Sequence, residues 1–148
     1  MALALLDTNV LVHAAYRDSP HHRAAARLVA LGLRERGRFC IAPQNLVEFM
    51  AVVTRARFVE PPLSAADAAR MAALLYGSRR LKKIYPKRGT VLRALRAGRE
   101  LGTVGPAWYD LFLAATMRDA GVRVVITENT ADFRNFPFLS PCRIQDAL

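Results

Sequence analysis

Two patterns predict an α/β fold, a three-layer α/β/α sandwich with a central parallel sheet. Short apolar runs recur along the chain, and between them lie longer segments whose apolar residues repeat at helical spacing. Strands separated by helices are joined by crossovers, which set the strands parallel and cover both faces of the sheet.

Residues 2–6 read as a short buried strand ending at Asp7, and Asn9 to about Ala15 as the helix after it. His21 to Arg36 carries Ala25, Leu28, Val29, Leu31 and Leu33 among arginines and stops at Gly37, an amphipathic helix. Phe39–Ala42 is a second strand, and Pro43 to about Arg57 a helix apolar around most of its circumference. Ser64-Ala65-Ala66-Asp67 resembles a capping box and opens a helix to Tyr76, with Gly77 as its stop. Gly89–Glu100, ended by Gly102, and Pro106–Ala120, ended by Gly121, are two more helices. Val122–Thr127 is the clearest strand, and Arg143-Ile144 reads as a last short one.

With 148 residues, 53% of them hydrophobic, the chain suits one compact domain over residues 1–148, with no repeat, low-complexity tract or linker. Cys40 and Cys142 lie beside predicted strands and fit no zinc-ligand spacing, so they read as core thiols of a reducing, cytoplasmic protein. Asp7 and Asn9 interrupt the first apolar run too early for a signal peptide, and no stretch approaches the roughly 20 apolar residues of a membrane helix. Lys and Arg total 22 against 12 Asp and Glu, and the net charge of +10 favours a polyanionic partner through phosphate contacts and counterion release.

Against that basic background, four acids stand in apolar neighbourhoods: Asp7 after Leu5-Leu6, Glu48 within Leu46-Val47-Glu48-Phe49-Met50, Asp110 within Trp108-Tyr109-Asp110-Leu111-Phe112, and Asp132 before Phe133. A carboxylate in such a place is costly unless paired, hydrogen-bonded or bound to metal, and several together repel unless a cation lies between them. The pattern points to a divalent-metal site. Asp7 and the Thr127–Asp132 loop both follow strand carboxyl ends, where open parallel sheets collect ligands. Asp110 falls in the first turn of its helix, whose dipole favours an anion, and Glu48 about one and a half turns into its own. Each acid also has a plainer reading: Asp7 as a helix cap, Asp110 as a dipole partner, Glu48 in a salt bridge to Arg55 or Arg57, Asp132 as a loop terminator.

These motifs resemble a known family. Leu5-Leu6-Asp7-Thr8-Asn9-Val10-Leu11-Val12 looks like the opening signature of PIN-domain ribonucleases, and Asn45-Leu46-Val47-Glu48-Phe49 is similar to their second acidic motif. Tyr109-Asp110-Leu111-Phe112-Leu113-Ala114-Ala115 matches the third, and Ile126-Thr127-Glu128-Asn129-Thr130-Ala131-Asp132-Phe133 resembles the fourth. Their order, spacing and total length resemble a VapC-type toxin of a bacterial toxin–antitoxin pair. The fourth motif departs from the aspartate that many members carry two residues after the threonine, since Asn129 stands there. An amide oxygen can ligate a hard cation but brings no charge.

The resemblance implies a PIN-like fold and Mg²⁺- or Mn²⁺-dependent endonucleolytic hydrolysis of RNA, with inhibition of translation or growth as its outcome. It implies Asp7 and Asp110 as metal ligands, Glu48 as a ligand that orients a metal-bound water or acts as its base, and Asn129 or Asp132 as the fourth member. Thr8, Asn9 and Thr127 become supporting polar groups that orient carboxylates or contact phosphate. A homodimer and a cognate antitoxin are the implied protein partners.

The densest positive run, Arg79, Arg80, Lys82, Lys83, Lys87 and Arg88 with Tyr85 among them, is the candidate RNA-gripping surface beside the acids. His21 and His22 are adjacent on a helix, point about 100° apart and do not share one ion; His13 reads as packed or exposed. Two rivals remain. A phospho-receiver domain requires an acidic pair after the first strand and a late lysine, neither of which is present, whereas a nucleic-acid-binding module without turnover is kept open by Asn129.

Overall fold

A computed structural model describes residues 2–148. Five strands form one parallel sheet in the order β3-β2-β1-β4-β5, with β1 at Ala4–Leu6, β2 at Phe39–Ile41, β3 at Lys82–Lys83, β4 at Val124–Ile126 and β5 at Ser140–Cys142. The helices are α1 Thr8–Ala15, α2 His22–Arg34, α3 Pro43–Val53, α4 Ala65–Gly77, α5 Thr90–Leu101 and α6 Ala107–Asp119. Successive side chains of a strand point to opposite faces, and β1 divides its burial that way. Ala4 and Leu6 pack with Leu28, Phe49, Val53 and Leu75 of the α1–α4 layer. Leu5 packs with Leu113 and Met117 under α5 and α6. The predicted sandwich is the one observed.

The order of the strands places the ligand crevice. From β1 the chain builds outward through β2 to β3, then returns to the other side of β1 as β4 and β5. Leu6 pairs with Ile126, so the next residues, Asp7 and Thr127, are neighbours at the carboxyl end of the sheet. That is the point at which a doubly wound sheet opens a crevice.

Several boundaries differ from expectation for identifiable reasons. The helix expected to reach Arg57 ends at Val53, because Thr54 Oγ1 turns back to Met50 O at 2.7 Å and Leu63 N donates to Val53 O at 2.7 Å. The last strand is Ser140–Cys142, and Arg143-Ile144 is not in the sheet: Ile144 is fully buried in a 3-10 turn, Ile144–Ala147. Proline discourages a strand reading of 140–142, yet an edge strand tolerates it. Lys82-Lys83, read as part of a charged surface run, forms the opposite edge strand; lysine there discourages further pairing. Ser64 Oγ accepts from Asp67 N at 3.1 Å as the capping pattern requires, while Asp67 pairs with Arg70 instead of closing the box. Gly102 and Gly121 end α5 and α6 with φ of 63° and 72°.

Cys40 and Cys142 lie on strands separated by β1 and β4, so no disulfide joins them; Cys40 is buried as expected, while Cys142 is only half-buried. Burial pushes the Cys40 thiol up to about 12. No helix among the described residues is long and apolar enough to cross a membrane.

One packing contact fixes the end of α6 that carries Asp110. Gly98 of α5 meets the Trp108 ring so closely that an added Cβ would overlap it and would lie 2.7 Å from Leu111 Cδ2. In an exposed helix, Gly→Ala gains up to about 1 kcal/mol from propensity, whereas overpacking a core contact costs about 1–3 kcal/mol. Gly98→Ala is therefore expected to lower stability by about 1–2 kcal/mol, read as a lower urea midpoint at unchanged slope. A raised midpoint would refute the close contact.

Candidate acidic active site

The site begins with the end of β1. Asp7 is only 8% exposed, yet both carboxylate oxygens are occupied: Oδ1 accepts from Thr8 N at 2.8 Å, and Oδ2 from Thr127 Oγ1 at 2.8 Å and Asn9 Nδ2 at 3.3 Å. The capping reading of Asp7 is thus correct as far as it goes, since it caps α1. Asn9 Nδ2 also donates to Thr127 Oγ1 at 2.9 Å, and its Oδ1 accepts from Glu128 N at 3.1 Å, which ties α1 to the segment after β4. Asn129 N donates to the same Thr127 hydroxyl at 3.1 Å. Thr127 is fully buried and joins three parts of the site through one oxygen.

Glu48 reaches this group from α3. Thr8 Oγ1 donates to Glu48 Oε2 at 3.1 Å, and Asn45 Nδ2 donates to Thr8 Oγ1 at 3.3 Å. Asn45 is fully buried and also accepts from Ala42 N at 2.9 Å, so it holds the first turn of α3 and the threonine together. Gln44 Nε2 donates to Glu48 Oε1 at 2.7 Å. Glu48 makes no salt bridge to Arg55 or Arg57, whose guanidinium groups lie over the Phe58 ring at 5.8 and 5.7 Å.

Asp110 stands in the first turn of α6, as expected, and Asp132 is exposed on the 3-10 turn Thr130–Phe133, whose Phe133 is buried. Burial, then the charges of Asp132, Asp7 and Glu48, push the Asp110 carboxyl up to about 7. Burial is also the main cause that pushes Asp7 up to about 6, against the hydrogen bonds from Thr127 and Thr8, with Glu48 and Asp132 adding to the rise. The charges of Glu48 and Asp132 therefore bear on both Asp7 and Asp110, and that of Asp7 on Asp110. Asn129 is exposed, and among the described residues its amide side chain has no hydrogen-bond partner.

Among the described residues, no three His, Cys, Asp or Glu side chains are gathered closely enough to enclose a metal ion. The donor set is nonetheless all oxygen, and its carboxylates lack a protein cation between them. This suits Mg²⁺ or Mn²⁺, which are held by one or two carboxylates and keep water and substrate oxygens for the remaining positions.

The basic run is divided. Arg80 Nη1 donates to Arg34 O at 2.9 Å, which places Arg79 and Arg80 by the turn before β2, at the amino end of the sheet. Lys83 Nζ is tied to the carbonyl oxygens of Ser78 and Leu81. Lys87 lies by Asp119, which Thr90 and Arg93 also contact. Nine residues of helix separate Asp119 from Asp110, about 13 Å at 1.5 Å per residue. The six residues do not form one surface beside the acids. Tyr85 is exposed, and its hydroxyl lies 2.7 Å from that of Tyr76.

Three contributors were not singled out from sequence. Gln44 and Asn45 precede Glu48 by four and three residues, the spacing of one helix face. Glu128 accepts from Ile144 N at 2.9 Å and lies near His21 and Arg143, at 3.7 and 3.6 Å, so it fastens the segment after β5 to the site. His21, the residue before α2, sets its ring edge-on to that of His13 at 4.9 Å, and His22 Nδ1 faces His13 O at 3.1 Å.

Raised carboxyl groups favour the protonated folded state. Asp7 and Asp110 should thus cost stability above their folded values and give it back as pH falls from about 7 toward 4. Asp110→Asn removes one of them. It is expected to raise the melting temperature of metal-free protein by several degrees at pH 8 and by much less at pH 4, measured by thermal denaturation in EDTA. Equal shifts at both pH values would refute the raised Asp110 carboxyl.

Comparison with known proteins places the fold. Solved structures similar to the chain include VapBC2 of Rickettsia felis bound to a promoter DNA fragment, at 17% identity, TM-score 0.62, and coverage of 95% of this chain and 98% of that one. DNA-bound VapBC of Salmonella typhimurium matches at 23% identity, TM-score 0.63, and 97% and 99% coverage. VapC20 of Mycobacterium tuberculosis, a toxin that cleaves the sarcin-ricin loop, matches at 17%, TM-score 0.63, and 82% and 86%. No curated protein sequence matches the chain. The family model for the PIN domain matches residues 4–139, and the chain belongs to the PIN-domain family.

Proposed function

We propose that this chain is a Mg²⁺- or Mn²⁺-dependent endoribonuclease, a single PIN domain acting as the toxin of a toxin–antitoxin pair in the cytoplasm. The observation that carries the reading is that Glu48, hydrogen-bonded to Thr8 beside Asp7, and Asp132 lie near enough for their charges to raise both Asp7 and Asp110, four acids from four separate elements. Carboxylates so arranged demand a cation.

Asp7 and Asp110 would hold the metal, with Glu48 beside them and Asp132 or Asn129 at the fourth place; the charge of Asp132 on Asp110 and Asp7 favours Asp132. A divalent ion there activates water and stabilises charge on phosphate oxygens. Thr8, Asn9 and Thr127 keep Asp7 and Glu48 oriented through their hydrogen bonds. Glu48, held by Thr8 and Gln44, would orient a metal-bound water or take its proton.

The similar structures that contain VapB with VapC support an antitoxin as partner, and the sarcin-ricin loop cleaved by the similar toxin VapC20 supports RNA as substrate. Exposed apolar side chains on α4 and α5, among them Leu74, Leu92 and Leu95, leave surface for an antitoxin and for a second copy in a homodimer. Arg79, Arg80 and Lys82 would hold phosphates at the β3 edge while Lys87 and Arg88 contact RNA from the segment before α5; Lys83, tied to the backbone, contributes charge.

Purified protein is expected to cut total RNA into discrete fragments in Mg²⁺ or Mn²⁺ but not in EDTA, and Asp110→Asn to lower the rate at least a hundredfold. RNA binding without cleavage, after removal of any bound antitoxin, would favour a binding module instead. Arg79→Ala with Lys82→Ala is expected to weaken RNA binding and to reduce the slope of log affinity against log salt by about 1–2. An unchanged slope would exclude both residues from phosphate contact.

A further inference from the structure

The side chain of Gln44 joins two helices that otherwise pack elsewhere. α3 packs on α1 and α4, and α6 packs on α5. Between them, Gln44 Nε2 donates both to Glu48 Oε1 at 2.7 Å and to Tyr109 O at 2.8 Å, the carbonyl of the residue before Asp110. Glu48 follows Gln44 by four residues, so both side chains rise from the same face of α3. Among the described residues, the contact to Tyr109 is the hydrogen bond that links α3 to α6.

The orientation of the amide is decided by its partners. A backbone carbonyl oxygen only accepts, and so does an ionised carboxylate, so the nitrogen of the Gln44 amide faces both and its oxygen faces away. That oxygen, Oε1, is buried and has no hydrogen-bond partner among the described residues. A buried acceptor left unpaired is unfavourable, and turning the amide to satisfy it would set oxygen against oxygen at Glu48 and Tyr109. The amide is held by what it does for its two partners.

Its consequence lies in the spacing of the acids. Glu48 Oε2 is fixed to Thr8, next to Asp7, and Glu48 Oε1 is fixed through Gln44 to the turn that carries Asp110. We propose that Gln44 is a positioning residue that sets Glu48 relative to Asp110 and so determines how well the acidic group receives a divalent cation and aligns for turnover. This rests on the metal-dependent nuclease reading above.

Gln44→Met keeps the length of the side chain and removes both donors. It is expected to lower kcat at least tenfold with KM for RNA within twofold. The half-saturating Mn²⁺ concentration, read by electron paramagnetic resonance on RNA-free protein, is expected to rise at least fivefold. Leu75→Ala, a core change in α4 away from the acids, serves as the control for general destabilisation and is expected to leave Mn²⁺ binding unchanged at a temperature where it remains folded. Unchanged kcat and Mn²⁺ binding in folded Gln44→Met would overturn the proposal, as would losses no greater than those of a Leu75→Ala protein of equal melting temperature. Mn²⁺ binding by a wild-type protein that cleaves no RNA would refute the nuclease reading while still testing Gln44.

Discussion

Asp7 is a carboxylate placed at the buried end of the central strand, and the surrounding structure is arranged to accommodate it. Its two oxygens accept hydrogen bonds from Thr8, Asn9 and Thr127, which belong to the start of α1 and the segment after β4. Those bonds draw the chain into place on both sides of the carboxylate. They do not neutralise it, and the acid remains raised to about 6 because burial outweighs them. A group so well hydrogen-bonded and still so costly to ionise is poised to gain from a cation.

The pairing of β1 with β4 turns this local arrangement into a site. Since Leu6 lies beside Ile126, Asp7 and Thr127 meet across strands that are 120 residues apart in the chain. The same topology brings the amino end of α6, and with it Asp110, to the edge where α1 and α3 begin. Trp108 against Gly98 fixes that end of α6 from one side, and the Gln44 amide reaches it from the other. Packing and hydrogen bonding thus act on the same turn.

Stability and chemistry pull in opposite directions here. Separating the acids would relieve their repulsion, yet under the proposed function their closeness is what would receive a divalent ion. The protein holds them together with neutral donors: hydroxyls from Thr8 and Thr127, amides from Gln44 and Asn9. Basic side chains that could have quenched the charge lie elsewhere, with Arg80 on the end of α2 and Arg93 on Asp119.

Much of the fold was legible in the sequence because its signals are local. Apolar runs at β1 and β4, the Ser64 cap and the glycines after α5 and α6 each act within a few residues, and each marks its element. The acids were legible too, since a charge within an apolar run is conspicuous wherever the chain goes. The short edge strands were not: Lys82-Lys83 and Ser140–Cys142 take their structure from neighbours β2 and β4, and their own composition argues against it. Nor could the sequence tell that a run of positive charge would be parted between the β3 edge and the end of α6, because contiguity in the chain is not contiguity on a surface. By itself the sequence determined which segments are helical and that Asp7 carries a charge into the interior, while Asp132, placed beside Phe133 in the chain, is exposed. The tertiary structure alone decided which of those charges face one another and which neutral side chain, such as Gln44, stands between them, because these are contacts across strand pairs and helix layers that local periodicity does not encode.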